Sequence, residues 1–268
     1  MYKYLGDTGI KMYDLFNLIS IIALLIMNMS QIKYKKDFLS GVSQRYIRRH
    51  FKKDNFFSKH KTTIVAVVEM FFISLVQYGF VSVFTQHFGD AVGTGNNYFA
   101  VLYFVPFILM LFFYIIKISP LKQLDMITPA YPLALVFVKI ACFCSGCCRG
   151  MEYEAGLYNA DTGLIELPIQ LAESALALLI FIFIMIYRKK SKEGTLYPVY
   201  LIAYSGLRFF IEFFRAEENI FLIFKVYHIL CIVGVTIGII EFIAVQKYSK
   251  EIIKCYNNRR IKERKHML

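Results

Sequence analysis

The sequence predicts an all-α, polytopic membrane helix bundle of about seven transmembrane helices, and three observations carry that expectation. Of 268 residues, 57% are hydrophobic and only 19% charged, whereas a soluble domain spends roughly a quarter of its residues on Asp, Glu, Lys and Arg. The charge is gathered at 33–61, 188–192 and 247–265, and the apolar stretches between approach the ~20 residues needed to cross a hydrocarbon core. The basic residues also fall in alternate loops, as threading back and forth across a membrane produces. Disorder, a nucleic-acid-binding domain and a small disulfide scaffold fit poorly, because each needs dispersed polarity or a short chain. The chain reads as one integral membrane domain over 1–268, with a basic cytoplasmic loop at 31–61 and a basic cytoplasmic tail at 247–268.

Seven apolar segments lie near 14–30, 63–85, 98–117, 126–144, 168–187, 195–213 and 222–246. The first is expected to stay as a helix, since Asp7 and Asp14 precede its apolar run and no small-residue cleavage site follows Met29. The second contains Glu69, to which no role attaches, and the third is apolar up to Lys117 at its end. The fourth is interrupted by Pro129, Pro132 and Lys139. A broken helix at membrane depth is tolerated only where protein or a wet cavity satisfies the freed backbone groups, which marks this segment as a candidate site. The fifth opens at Pro168, a residue suited to a first helical turn.

Orientation follows from Lys and Arg. The 31–61 loop holds ten of them against Asp37 and Asp54, and with Lys117, Lys122, the 188–192 cluster and the tail, 24 of the 31 basic residues fall on one side. That side is the cytoplasm. The N-terminus is then outside and the C-terminus inside, and the loops near 86–97, 145–167 and 214–221 face outward. The net charge of +12 therefore reflects topology and calls for no nucleic-acid partner.

Ionisable side chains within spans are costly, at roughly 2.5–3.5 kcal/mol each on insertion scales, so each needs a partner or a purpose. In the sixth segment Tyr204, Arg208 and Glu212 recur at four-residue spacing, with Arg215 three further on, and so share one helix face. Arg is the side chain best shaped to grip a phosphate with two parallel hydrogen bonds, which favours a functional reading over the alternative that Arg208 and Glu212 pair only to neutralise each other. In the fifth segment Gln170 and Glu173 share a face by the same rule, and Glu166 ahead of them reads as a helix-terminus carboxylate.

A third cluster is Lys139-Ile-Ala-Cys142-Phe-Cys144-Ser145-Gly146-Cys147-Cys148-Arg149-Gly150. It lacks the second Cys or His pair of a structural zinc site. Cys144 and Cys147 form a Cys-x-x-Cys spacing that leaves a redox pair open, and the other reading is a tight, glycine-ended turn that lets backbone approach a ligand. His50, His60 and His266 belong to basic segments, and His228 is expected to hydrogen-bond within the seventh span. His87 alone stands in an outward loop, where an imidazole can act as acid or base.

Taken in order, these motifs resemble the bacterial prolipoprotein diacylglyceryl transferases. The resemblance runs from about Asp125 to Glu218: Asp125 with Pro129, the Lys139–Gly150 stretch, Pro168-Ile-Gln170-Leu-Ala-Glu173, and Tyr204 with Arg208-Phe-Phe-Ile-Glu212-Phe-Phe-Arg215. The family signature Arg-x-x-Asn-Phe-x-Asn-x-Glu-x-x-Gly falls on Lys139, Cys142, Phe143, Ser145, Cys147 and Gly150, with identity at Phe143 and Gly150. The Gly-Cys-Cys-x-Gly form is similar to a divergent branch of the family. Where the family carries His-Gly-Gly, this chain reads Tyr98-Phe-Ala-Val101.

The resemblance implies a multi-pass protein of the bacterial plasma membrane that moves a diacylglyceryl group from phosphatidylglycerol to the lipobox cysteine of secreted prolipoproteins, with membrane lipids around it. It implies Arg208 as clamp on the leaving phosphate, Glu212 holding it, and Lys139 adding charge. Gln170, Glu173, Tyr204, Arg215, Cys142, Ser145, Cys147 and Gly150 would line the substrate site. The base that takes the thiol proton is open among His87, Glu173 and Tyr98. No metal and no organic cofactor is required by this reading. Two alternatives are a relative that binds lipid headgroups without transfer and a membrane thiol oxidoreductase using Cys144 and Cys147.

Overall fold

The computed structural model of the protein describes residues 11–30, 68, 71–72, 75, 79, 98–115, 119–159, 162–216 and 224–265. Its helices are α1 (Met12–Met29), α2 (Tyr98–Ile115), α3 (Pro120–Ile127), α4 (Ala130–Ser145), α5 (Ile169–Tyr187), α6 (Leu196–Glu212) and α7 (Val226–Lys265), with strands β1 (Glu152–Asn159) and β2 (Leu164–Glu166) between α4 and α5. The second expected span enters the described residues at Val68, Phe71, Phe72, Leu75 and Gly79, each helical. The 31–61 loop and His87 lie outside them.

Among the described residues three helical stretches are long and apolar enough to cross a bilayer, Pro120–Ser145, Ile169–Tyr187 and Val226–Tyr248. Leu179 and Ile186 on α5 and Ile240 and Ile243 on α7 point their side chains outward. Large exposed apolar faces of this kind mark contact with lipid or with another protein surface. The fourth segment breaks where its prolines said it would. Thr128 and Pro129 separate α3 from α4, and Pro132 falls in the first turn of α4, where its missing N–H costs nothing.

The expectation of an all-helical chain needs one correction. The 145–167 connection folds into an antiparallel hairpin, with Asn159 opposite Leu164, Tyr158 opposite Ile165 and Leu157 opposite Glu166, and a bulge between Glu152 and Leu157. Tyr153, Tyr158 and Ile165 favour strand, and a segment this short gains more from pairing with itself than from any helix it could bury. Glu166 is no helix terminus. Its carboxylate sits inside the hairpin, accepting hydrogen bonds from Asn159 Nδ2 at 3.0 Å and Thr162 Oγ1 at 2.8 Å, with Arg149 at 3.4 Å.

The chain divides into two compact units. One comprises Met1–Leu24, Thr128–Ser191 and Pro198–Ile240; the other comprises Leu25–Ile127, Lys192–Tyr197 and Glu241–Leu268. Within the second, Asp125 closes the start of α6. Its carboxylate accepts the backbone N–H groups of Gly194 at 2.5 Å and Leu196 at 2.9 Å, two donors that a helix N-terminus otherwise leaves unmet. The Tyr197 hydroxyl donates to the Leu102 carbonyl in the same unit. Within the first unit α4 packs on α5, and Ser174 Oγ donates across that contact to the Val136 carbonyl at 3.0 Å.

Candidate active site

Except for Tyr98, one of the candidate bases, which belongs to the second unit, the described residues expected at the site belong to the first. Lys139 on α4, Glu173 on α5 and Arg208 on α6 meet there. Lys139 Nζ lies 2.6 Å from Glu173 Oε2, and Arg208 Nη1 lies 3.2 Å from Glu173 Oε1 and 2.5 Å from Glu212 Oε2. Arg215, just past the end of α6, reaches 3.8 Å from Glu173 Oε1. All five side chains are buried. The four-residue spacing on α6 thus does what helix geometry demands, setting Arg208 one turn from Glu212 on the face that looks at α5.

Lys225 joins this group from beyond the sixth helix. Its ammonium donates to the carbonyls of Glu212 at 2.8 Å and Arg215 at 2.5 Å, so a cation closes the end of α6 where unpaired carbonyls gather negative charge. Among the described residues the site holds four buried cations, Lys139, Arg208, Arg215 and Lys225, and two carboxylates, Glu173 and Glu212. Buried charge is stable only when balanced, and here carboxylates and helix-end carbonyls share that task.

Lys139 and Arg208 line a narrow cleft of about 10 Å³, together with Glu173 and Tyr204 and the apolar side chains of Leu135, Leu176, Ile180, Leu207 and Ile211. Tyr204 continues a row of rings in which Tyr131 stacks on Tyr200 at 6.1 Å and Tyr200 tilts against Tyr204 at 6.2 Å.

Beside the cations lies the cysteine turn. Helix α4 ends at Gly146 with φ 75°, a left-handed conformation that suits glycine. The N–H groups of Gly146 and Cys147 donate back to the carbonyls of Phe143 at 3.3 Å and Cys142 at 3.2 Å, the pair of reverse bonds that ends many helices. Gln170 Nε2 donates to the Cys147 carbonyl at 2.7 Å, tying the turn to α5. Ser145 Oγ lies 3.1 Å from the Cys142 carbonyl and 3.2 Å from Cys147 Sγ. Gly150 pairs with Arg215 as an isolated antiparallel bridge, and a Cβ there would strike the Leu167 carbonyl and come within 3.0 Å of Leu167 Cβ. The glycine is what lets this strand lie between Leu167 and the end of α6.

The turn draws together the sulfurs of Cys142, Cys147 and Cys148, all within 4.8 Å of one another. The Cys-x-x-Cys reading expects Cys144 instead; that residue lies on the last turn of α4 and is not among them. Hydrogen bonds from the Cys142 and Cys147 thiols hold the Cys148 thiol below the ordinary cysteine range, and the Lys139 and Arg215 cations act in the same direction. The positive field of the site thus extends over the turn.

Other residues take quieter places. His228 Nδ1 accepts the Lys225 backbone N–H at 3.0 Å, the local hydrogen bond expected of it, and its ring lies among Phe209, Phe213 and Phe224. Phe99, near the position where the family carries its histidine motif, is buried and tilts against Tyr103. Sequence reasoning missed Lys225 and Cys148. Lys225 was visible as a lone cation amid apolar residues at the opening of the seventh span, but nothing in the spacing tells which helix end it caps.

Fold and site together define a predominantly helical protein with helices long and apolar enough to cross a membrane and a buried cluster of cations held by shared carboxylates. The family model described as "Prolipoprotein diacylglyceryl transferase" matches residues 2–244, and the chain belongs to that family. It is 35% identical over 133 residues to the phosphatidylglycerol–prolipoprotein diacylglyceryl transferase of Chlorobaculum tepidum, a match covering 46% of each chain. It is 34% identical over 111 residues to phosphatidylglycerol–prolipoprotein diacylglyceryl transferase 2 of Clostridium perfringens, covering 38% of this chain and 43% of that one. To the corresponding protein of Clostridium tetani it is 31% identical over 107 residues, covering 37% and 43%. The chain thus spans less than half the length of these curated relatives.

Proposed function

We propose that this protein is a phosphatidylglycerol–prolipoprotein diacylglyceryl transferase of the bacterial plasma membrane, crossing it about seven times with the N-terminus outside and the C-terminus inside. It moves the diacylglyceryl group of phosphatidylglycerol to the lipobox cysteine thiol of a prolipoprotein, forming a thioether and releasing glycerol phosphate. The observation that carries this reading is the convergence of an ammonium and a guanidinium from different helices, Lys139 and Arg208, on the single carboxylate of Glu173. Family membership and the names of the matched relatives support the choice of substrates.

The chemistry follows from charge. When the glyceryl carbon–oxygen bond breaks, the phosphate goes from a monoanionic diester to a dianionic monoester. Preorganised cations stabilise the group that gains charge as the bond breaks, without needing to move. Glu173 and Glu212 keep Lys139, Arg208 and Arg215 apart and oriented until the phosphate enters. Lys139, standing where the family carries arginine, supplies a point charge without the planar two-bond grip. The acyl chains follow the apolar wall of Leu135, Leu176 and Ile180.

The test is direct. Purified protein, vesicles containing phosphatidylglycerol and a peptide carrying a lipobox cysteine are expected to yield a peptide heavier by one diacylglyceryl unit. Arg208→Ala is expected to abolish that product, and unchanged turnover would refute the clamp. Retention of labelled phosphatidylglycerol without any lipidated peptide would favour the alternative of a headgroup-binding relative, for which Lys139 and the Tyr98–Val101 stretch speak.

A further inference from the structure

We propose that Cys142, Cys147 and Cys148 hold a zinc ion whose fourth coordination position receives the acceptor cysteine as its thiolate. The proposal rests on the transferase reading above and supplies what that reading lacks, a way to take the proton from the attacking thiol.

Geometry carries it. Three sulfurs lie within 4.8 Å of one another, and tetrahedral zinc with Zn–S bonds of about 2.3 Å needs sulfurs about 3.8 Å apart, a change that side-chain rotation covers. One ligand comes from the last turns of α4 and two from the turn after it, brought back over the helix end by the Gly146 cap. Cys148 itself has φ 57°, a left-handed backbone that non-glycine residues adopt at a cost, and that cost is borne at the residue that completes the trio. Gln170 and the Gly150–Arg215 bridge hold the turn from either side. Among the described residues no fourth Cys, His, Asp or Glu joins the group. Structural zinc sites close with four protein ligands, and catalytic ones use three and keep a position open.

Charge and chemistry agree with the geometry. Three thiolates and one Zn²⁺ leave a net charge of −1, and Lys139 and Arg215 act electrostatically on this sulfur group. A thiol that coordinates the ion is deprotonated outright, its proton passing to solvent. The bound thiolate then attacks the glyceryl carbon that bears the phosphate ester. The sulfur–carbon bond forms, the carbon–oxygen bond breaks, and the electron pair leaves on the phosphate oxygen. Thiolate and diester, two negative charges in all, become a neutral thioether and a dianionic glycerol phosphate. The thioether is a poor zinc ligand and departs. Lys139 pairs with Glu173 and acts electrostatically on the sulfur group, which links the nucleophile's surroundings to those of the leaving group.

Full-length protein purified in detergent and reconstituted with Co²⁺ reports on this directly. The expected result is one ion per chain, a sulfur-to-cobalt charge-transfer band, and a shift of that band on adding the lipobox peptide but not its Cys→Ser form. Cys148→Ser, and separately Cys142→Ser with Cys147→Ser, are expected to weaken metal binding by roughly 10²-fold or more; Cys144→Ser is expected to leave it intact. The inference is overturned if the wild-type band is missing, if the peptide does not shift it, or if protein stripped of metal and verified so transfers lipid at the full rate. That last result would leave the transferase reading standing. A band that shifts with peptide while no lipidated peptide forms would instead sustain the thiol-binding ion and remove the transferase.

Discussion

At the scale of single residues the site is organised around Glu173, whose two oxygens are shared among Lys139, Arg208 and Arg215. Glu173→Gln would leave three buried cations short of one counter-charge, and removing one member of a buried ion pair costs about 3–5 kcal/mol. The expected outcome is a markedly lower thermal midpoint in detergent, partly restored by phosphatidylglycerol or inorganic phosphate as replacement anion; equal midpoints with and without either anion would contradict the anion-site assignment. Lys139→Arg restores the planar fork of the family signature and is expected to keep or raise lipidation turnover. A tenfold fall would mean that the compact ammonium is needed for the neighbouring sulfurs. These residues were legible in the sequence because an ionisable group inside an apolar run is rare and its helical spacing names its neighbours. Lys225 was not, because its partners lie on another segment, and Cys148 was not, because only the chain reversal after Gly146 brings its sulfur to those of Cys142 and Cys147.

At the scale of elements, the broken fourth span and the hairpin are what bring α4, α5 and α6 to one point. Proline placement foretold the break between α3 and α4. The hairpin escaped because a reading tuned to long apolar runs passes over the short mixed stretch Glu-Tyr-Glu-Ala-Gly-Leu-Tyr-Asn at 152–159. Gly150 is the joint between hairpin, cysteine turn and the end of α6, and Gly150→Ala drives a methyl group into Leu167. Overpacking of this sort costs about 1–3 kcal/mol. The expected result is a lower thermal midpoint together with faster proteolytic cleavage between Gly150 and Leu167; a variant as stable and as protease-resistant as the parent would show that the strand has room to shift.

At the scale of the molecule, the alternation of basic loops predicts the two faces on which its connections lie. A cysteine placed at Tyr158 in the hairpin, in a variant with Cys144 and Cys147 replaced by serine, is expected to react with a membrane-impermeant maleimide on intact cells. One placed at Lys190 is expected to react only after the membrane is opened. Labelling of both positions from the same side would overturn the proposed orientation.

Hydropathy and charge placement by themselves pointed to a membrane protein and singled out the ionisable groups set within its apolar runs, since each of those properties is local and is enforced by the cost of putting charge into hydrocarbon. Which groups meet was decided only by tertiary structure. The choice of Cys142 over Cys144 as the partner of Cys147 depends on how the chain reverses after Gly146, and the placing of Lys139 and Arg208 on one carboxylate depends on three helices packing together. Contacts between segments far apart along the chain leave no spacing to read.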